Sequence, residues 1–320
     1  MPAAVAALQE DKRLQIILVG DRSKLEPVLA ASAGVDNTRL SIHHADSILA
    51  MDAKPVAVLR RGRDSSMWKA FELHAEGRAD ACVSGGNTAA MMVVGVKLLG
   101  MLPGIQRPAL MGYVPNVSAY TGLLDLGANL DVSARQLVQF AVMGTVTARE
   151  VEDVENPSVG LLNVGHEDSK GHDLVQEAHG MLHDLPLNYS GFIEGNDIFD
   201  GTVDIAVCDG FAGNLILKST EGLARMLLRE FKGALNSNMA SKAGAALAGP
   251  SLKRMLARLD PAAHNGAPLL GLNGVVVKSH GSSDQQGLTR AILEAGREAR
   301  RKVHRRIETS IQKYQLEMST

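Results

Sequence analysis

Val275-Val276-Val277-Lys278 runs straight into Ser279-His280-Gly281-Ser282-Ser283-Asp284, and a long helical pattern follows. An apolar β-branched run closed by Gly, Ser and Asp reads as a buried strand whose end opens a helix. The same grammar recurs upstream. Residues 81–84 lead into Gly85-Gly86-Asn87 and an apolar helix over 88–99. Residues 123–126 lead into Gly127-Ala128-Asn129, and 159–164 into Gly165. Residues 203–208 lead into Asp209-Gly210-Phe211-Ala212-Gly213-Asn214 and another helix, and 14–19 end at Gly20. Strands without polar alternation, interleaved with helices, predict an α/β fold of three layers, α/β/α, around a mostly parallel sheet. One such domain is expected over residues 1–320.

Composition bounds the function. The chain is 45% hydrophobic and 21% charged, as in ordinary globular proteins. Aromatics make up 3%, so the core is aliphatic. A formal charge of −2 argues against bulk nucleic-acid binding. Cys82 and Cys208 each end an apolar run and read as buried, reduced thiols. Residues 2–8 are apolar but too short for a secretory signal, and Gln9-Glu10-Asp11-Lys12-Arg13 follows them. No apolar run reaches membrane-spanning length. The expectation is a cytoplasmic protein able to touch a membrane surface.

The strand ends share Gly, Asn, Ser and Asp. Ligands of open α/β sheets bind beyond the carboxyl ends of the strands. Glycines admit a ligand close to the backbone, and helix N-termini offer free N–H groups. Together these loops predict an anion site, although each alone is also ordinary turn chemistry. G-x-G-x-x-G after the first strand, G-x-x-x-x-G-K-[ST], G-x-S-x-G, HExxH and CxxC are all missing. The anion expected is a small phosphate rather than a dinucleotide. A structure should place Asn87, Asn129, Asn214 and Ser279 around one crevice.

Residues 224–259 differ in character. Met226, Leu227, Leu228 and Phe231, then Leu252, Met255, Leu256 and Leu259, alternate with Arg225, Arg229, Lys232, Lys242, Lys253, Arg254 and Arg258. This reads as a basic amphipathic helical hairpin breaking at Gly249-Pro250. Dimer packing, an acidic partner and anionic lipid are its alternatives. One last helix is predicted over 284–317, with Ile292, Ala299, Val303, Ile307, Ile311 and Tyr314 on its core stripe.

Several blocks resemble the phosphate acyltransferase (PlsX) family in order and spacing. They are Asp64-Ser65-Ser66-Met67, Val83-Ser84-Gly85-Gly86-Asn87-Thr88, Leu102-Pro103-Gly104-Ile105 and Leu124-Asp125-Leu126-Gly127-Ala128-Asn129. They continue through Gly160-Leu161-Leu162-Asn163-Val164-Gly165, Lys170-Gly171, Val207-Cys208-Asp209-Gly210-Phe211 and Gly213-Asn214. Asn265-Gly266-Ala267-Pro268-Leu269-Leu270-Gly271-Leu272 and Val277-Lys278-Ser279-His280-Gly281-Ser282-Ser283-Asp284 complete the set. The resemblance implies a fold like the isocitrate and isopropylmalate dehydrogenases and the phosphotransacetylases, and a homodimer. It implies transfer of a long-chain acyl group from acyl carrier protein to inorganic phosphate, at the entry to phospholipid synthesis. A membrane glycerol-3-phosphate acyltransferase that consumes the acyl phosphate, and an anionic membrane surface, are further implied partners. Neither a cofactor nor a metal is implied, although His166, Glu167, Asp168, His172 and Asp173 carry ligand chemistry.

The pattern departs from the family in three places. Family members begin with a strand and a loop close to Asp-Ala-Met-Gly-Gly-Asp, and Met1-Pro2-Ala3-Ala4 resembles the helix after it. An unfilled place beside strand 14–19 is therefore expected. Gly86 and Ala89 stand where Ala and Gly are usual. His166 and His172 replace a common Glu and Asn.

The reaction needs a held phosphate, donors for a tetrahedral oxyanion, and a proton or positive charge for the leaving thiolate. Positioning dominates, because a phosphate dianion is already a nucleophile. Backbone N–H groups of Ser84, Gly85, Gly86, Asn87 and Thr88 and of Gly281, Ser282 and Ser283 are expected to hold phosphate, with Asp284 beside them. Ser279 and His280 flank the reacting centre by resemblance to the Ser-Arg-Gly-Cys-Ser-Asp stretch of phosphotransacetylases, with Lys278 beside them. Imidazole suits the protonation of a leaving group near neutral pH. Asn214 and Lys218, one helical turn apart, are expected to face the same crevice. Asp125, Asn129, Lys170 and Asp209 complete the expected substrate-binding set, and Lys253, Arg254 and Arg258 the carrier or membrane contact. A coenzyme A phosphotransacetylase and an inactive lipid-synthesis scaffold are the alternative readings.

Overall fold

The computed structural model describes residues 1–31, 38–258, 266–281 and 283–317. Its first half contains α1 (Pro2–Glu10), β1 (Ile16–Gly20), α2 (Arg22–Ala30), β2 (Leu40–His44), α3 (Pro55–Arg61), α4 (Ser66–Ala75), β3 (Ala81–Ser84), α5 (Thr88–Leu98), β4 (Ala109–Pro115), β5 (Tyr120–Leu124) and α6 (Ala134–Val151). Its second half contains β6 (Ser158–Leu162), α7 (Asp173–His183), β7 (Asn188–Ile193), α8 (Gly195–Asp200), β8 (Ile205–Val207), α9 (Gly210–Asn236), α10 (Met239–Arg258), β9 (Ala267–Leu270), β10 (Val275–Lys278), α11 (Gln285–Arg301) and α12 (Val303–Glu317).

The main sheet has the order β3-β10-β9-β4-β5-β8-β6-β7, and β1 and β2 form a separate parallel pair. Most strand pairs are parallel. The antiparallel pairings β10·β9, β9·β4 and β4·β5 lie in the middle of the sheet. Three reversals leave β3 and β10 running opposite to β5, β8, β6 and β7. The strand-end loops therefore form two sets rather than one row.

Side chains alternate across the sheet as strand geometry requires. Leu110, Leu123, Ala206 and Val276 join the core beneath α4, α5 and α9. Ala109, Met111, Leu124, Ile205 and Val207 join the opposite core, against α6, α7 and α12. Val275 and Val277 meet α11 on that second face. Helix α6 is buried along most of its length. Cys82 and Cys208 are buried and free. Burial pushes the Cys82 thiol up to about 12 and the Cys208 thiol upward as well.

Two sequence expectations are corrected. The terminal helix is two helices, α11 and α12, joined at Lys302 in a left-handed conformation (φ 51°). The arm is α9 and α10, which turn at Ser237 and Asn238; the second helix runs through Pro250 instead of breaking there. Ser282, residues 259–265 and the side chains of Arg254 and Arg258 lie outside the described residues.

Helix α11 brings carboxyl groups into the core. Glu298 is 2% exposed, and its Oε1 has no hydrogen-bond partner. Glu294, Arg297, Glu152 at the C-terminal cap of α6 and Tyr113 of β4 lie around it. Burial lifts the Glu294 carboxyl to about 7; Arg297 opposes this and Glu152 adds to it. Burial, then the Glu294 charge, lifts Glu298 well above its ordinary value. The folded chain therefore keeps protons that the unfolded chain releases above its ordinary value of 4.5. Stability should fall as pH rises from 4.5 to 7, by up to about 1.4 kcal/mol per pH unit for each group. The Glu294→Gln/Glu298→Gln variant should lose most of that slope, as urea midpoints across the window will report.

Candidate functional site

The loops after β3 and β10 lie side by side because their strands pair in parallel, Lys278 level with Ser84. The Ser279 N–H donates to the Ser84 carbonyl at 2.9 Å. A Cβ on Gly85 would stand 3.7 Å from the His280 carbonyl oxygen, and one on Gly281 3.3 Å from the Gly85 carbonyl oxygen. Ser84 Oγ accepts from the Gly86 N–H at 3.2 Å, which folds this loop back on itself. Ser279 is buried, with its Oγ 3.0 Å from Ser283 Oγ. His280 is exposed.

Each adjoining helix starts at a cap. Asn87 Oδ1 accepts from the Ala90 N–H at 3.1 Å and so caps α5. Asp284 accepts from the Gly287 N–H at 2.8 Å to cap α11, and Asp209 from the Ala212 N–H at 2.7 Å to cap α9. A neutral Asn cap leaves the positive end of α5 uncompensated, which favours an anion there. Thr88 follows this cap as the first residue of α5.

Positive charge gathers at the same place. Lys278 is half-buried, and its Nζ donates to the Ser279 carbonyl at 3.4 Å. Burial holds its ammonium below the ordinary value, and the charge of Lys218 on α9 lowers it further. The two lysines are thus electrostatic neighbours, although they belong to strand and helix far apart in sequence. Lys218 pairs with Glu221 at 3.0 Å. Asn214, one turn earlier on α9, is exposed and packs against Gly127, whose φ is 104°. Helices α5 and α9 share one face of the sheet, so Asn87, Asn214, Lys218 and Lys278 belong to one side of the molecule.

Asp125 and Asn129, read from the sequence as substrate-binding, are bonded to each other and to the chain around them. Asp125 is fully buried, and Asn129 nearly so. Asp125 Oδ1 accepts from the N–H groups of Leu110 (3.0 Å) and Ala128 (3.1 Å). Its Oδ2 accepts from the Asn129 backbone N–H (2.6 Å) and from Asn129 Nδ2 (2.9 Å). Asn129 Nδ2 also donates to the Pro108 carbonyl at 2.8 Å. Burial nevertheless pushes the Asp125 carboxyl up, against the pull of these donors. The pair shapes the loop that supports α9. Gly210 and Gly213 serve the same packing: a Cβ on Gly210 would stand 2.5 Å from the Asn129 carbonyl oxygen, and one on Gly213 would collide with the Asp125 carbonyl. Sequence reading assigned such glycines to ligand approach.

Lys170 is exposed in the loop after β6, where its carbonyl accepts from Asn163 Nδ2 (3.1 Å) and Gln176 Nε2. His166 lies in the same loop, its Nε2 3.3 Å from Asp197 Oδ2 and 3.8 Å from Glu194 Oε1. Sequence reading missed residues 47–53 altogether. Asn87 Nδ2 donates to the carbonyls of Met51 (2.7 Å) and Ala53 (3.2 Å), which ties that segment to the site.

Comparison with known proteins bears on this arrangement. Residues 1–306 match the family described as fatty acid synthesis protein. The phosphate acyltransferase of Nitrosococcus oceani is 46% identical over 312 residues, covering 98% of this chain and 92% of that one. The phosphate acyltransferase of Pseudomonas syringae pv. syringae is 47% identical over 315 residues, covering 97% and 92%. Among solved structures, a phosphotransacetylase from Streptococcus pyogenes superposes with a TM-score of 0.62 at 19% identity, covering 92% of this chain and 89% of that one. The EutD phosphotransacetylase from Staphylococcus aureus gives 0.60 at 17%, with the same coverage. These likenesses bear out the fold class.

Removing Asp125 is expected to cost stability first. Asp125→Ala leaves buried N–H donors without an acceptor and should destabilise the chain by on the order of 3 kcal/mol. Asp125→Asn retains one accepting oxygen and should recover part of that loss. Urea midpoints at fixed pH measure both.

Proposed function

Because the chain belongs to the phosphate acyltransferase (PlsX) family and is an acyltransferase, we propose that its donor is a long-chain fatty acyl thioester of acyl carrier protein. The acceptor is inorganic phosphate, and the product is an acyl phosphate destined for phosphatidic acid. A phosphate oxygen attacks the thioester carbonyl carbon, a C–O bond forms, the C–S bond breaks, and the thiolate leaves with a proton.

The single observation that carries this reading is the pairing of the β3 and β10 loops at the start of α5, with half-buried Lys278 beside them and the charge of Lys218 acting on it. Two like charges brought together raise the energy of the empty site, and a bound dianion relieves it. The N–H groups of the β3 and β10 loops add donors that need no reorganisation during reaction. His280, exposed at this loop, is the group this reading assigns to protonate the departing thiolate.

Helix α9 supports a protein carrier rather than a free thiol. It passes Asn214 and Lys218, then continues outward with Arg225, Arg229 and Lys232 exposed. Helix α10 returns with Lys242 and Lys253 exposed. A basic arm continuous with the reacting centre steers an acidic carrier and raises its on-rate. Leu223, Met226, Leu227 and Phe231 are exposed on the same arm, and a second copy of the chain is the cover this reading assigns them.

Purified protein should convert palmitoyl-acyl carrier protein and phosphate to palmitoyl phosphate, trapped as the hydroxamate. Preference for palmitoyl-coenzyme A would replace this reading with the phosphotransacetylase one, and no turnover with either would leave the scaffold. The variant Arg229→Glu/Lys232→Glu/Lys253→Glu should raise the KM for the carrier substrate roughly tenfold at low salt and flatten its salt dependence, with the KM for phosphate nearly unchanged.

A further inference from the structure

The segment that holds Asn87 has a second property. Ile48 is 82% exposed, Met51 61%, Val56 62% and Leu59 40%. Large apolar side chains grouped at the surface mark a binding surface more often than chance. Their backbone is well anchored. Leu49 and Ala53 pack into the core, and Val58 of α3 is buried. The Ser47 N–H donates to the Asp64 carbonyl at 3.2 Å, and the Ser66 N–H to the Ser47 carbonyl at 2.9 Å. Val56 and Leu59, three apart on α3, share the helix face that Val58 leaves to solvent.

This apolar surface begins at the site. The Met51 carbonyl accepts from Asn87 Nδ2 at 2.7 Å, and Met51 Cε lies 3.4 Å from where a Cβ on Gly281 would stand. Met51 therefore touches both loops that flank the proposed phosphate. A thioester carbonyl held there has two substituents, a carrier and a hydrocarbon chain. The basic arm offers charge to the first, and residues 48–59 offer apolar surface to the second. We infer that Met51 and Ile48, continued by Val56 and Leu59 of α3, form the surface on which the fatty acyl chain of the donor lies, and that this surface sets chain-length preference. The inference rests on the long-chain thioester reading above.

The test compares Ile48→Ser/Met51→Ser with the parent chain, using phosphate and the octanoyl and palmitoyl thioesters of one carrier protein. Each methylene moved out of water favours binding, so preference should respond to loss of its apolar partners. The kcat/KM ratio of palmitoyl to octanoyl should fall roughly tenfold, while the KM for phosphate stays within about twofold. Val117→Ser, an exposed apolar residue between β4 and β5, should leave the ratio unmoved. An unchanged ratio in the double variant overturns the inference. So does an equal fall for both thioesters with a raised KM for phosphate, which marks a structural role. Loss of self-association by sedimentation with an unchanged ratio assigns the surface to a second copy instead. If the double variant is insoluble, Met51→Gln is read in the same way. A parent chain inactive on both thioesters overturns the underlying reading itself.

Discussion

The Asp125 carboxylate organises the half of the molecule that carries α9. Each of its oxygens accepts two N–H groups, from Leu110, Ala128 and Asn129. These bonds join the start of β4 to the loop after β5, and Asn129 extends the link to Pro108. The Asn129 carbonyl of that loop accepts from the Gly210 N–H at 2.7 Å, and a Cβ on Gly213 would collide with the Asp125 carbonyl, so the first turn of α9 seats directly on it. The position of Asn214 and Lys218 follows from that seating. A buried, fully engaged carboxylate is a poor ligand for an anion, yet it decides where the cations stand.

Opposed strand directions give the site its form. In a wholly parallel sheet, every strand-end loop would share one rim. Here the β9 and β4 reversals divide the loops, and the loops after β3 and β10 end side by side. The other half contributes a helix, α9, whose third turn carries Lys218, a cation whose charge acts on Lys278. The site is thus assembled from a loop pair and a helix flank on one face.

Much of this was legible in the sequence where punctuation was strong. Residues 81–84 and 275–278 are bounded by polar and glycine positions, and both strands match their expected limits. Strand direction was not legible, because side-chain alternation carries no polarity and β4 and β9 drew no strand assignment of their own. Lys302 breaks the last helix without a glycine, so no breaker signalled it. Gly249-Pro250 looked like a turn, but the turn fell at Ser237-Asn238, which sequence reading treated as helix. At the site, residue types were legible and their placement was not. Asp125 and Asn129 have the chemistry of ligands and the burial of scaffold, and only three-dimensional packing separates those uses. Residues 47–53 carry no motif, and their connection to Asn87 runs through backbone carbonyls that any sequence would possess.

The long α9–α10 arm has a consequence for amide hydrogen exchange. Its outer turns bury little, for Leu223, Met226, Leu227, Phe231, Met239 and Leu247 are all exposed. Beyond the first turns of α9, the two helices lean chiefly on each other. Helix α6, sealed between the sheet, α7 and α12, has no such freedom. Opening the arm exposes little new apolar surface, so its amides exchange by fraying that leaves the sheet intact, whereas those of α6 wait for the whole domain to open. Any partner that covers the arm therefore slows exchange there by the factor its binding free energy supplies, and the protection pattern maps the partner's footprint one amide at a time.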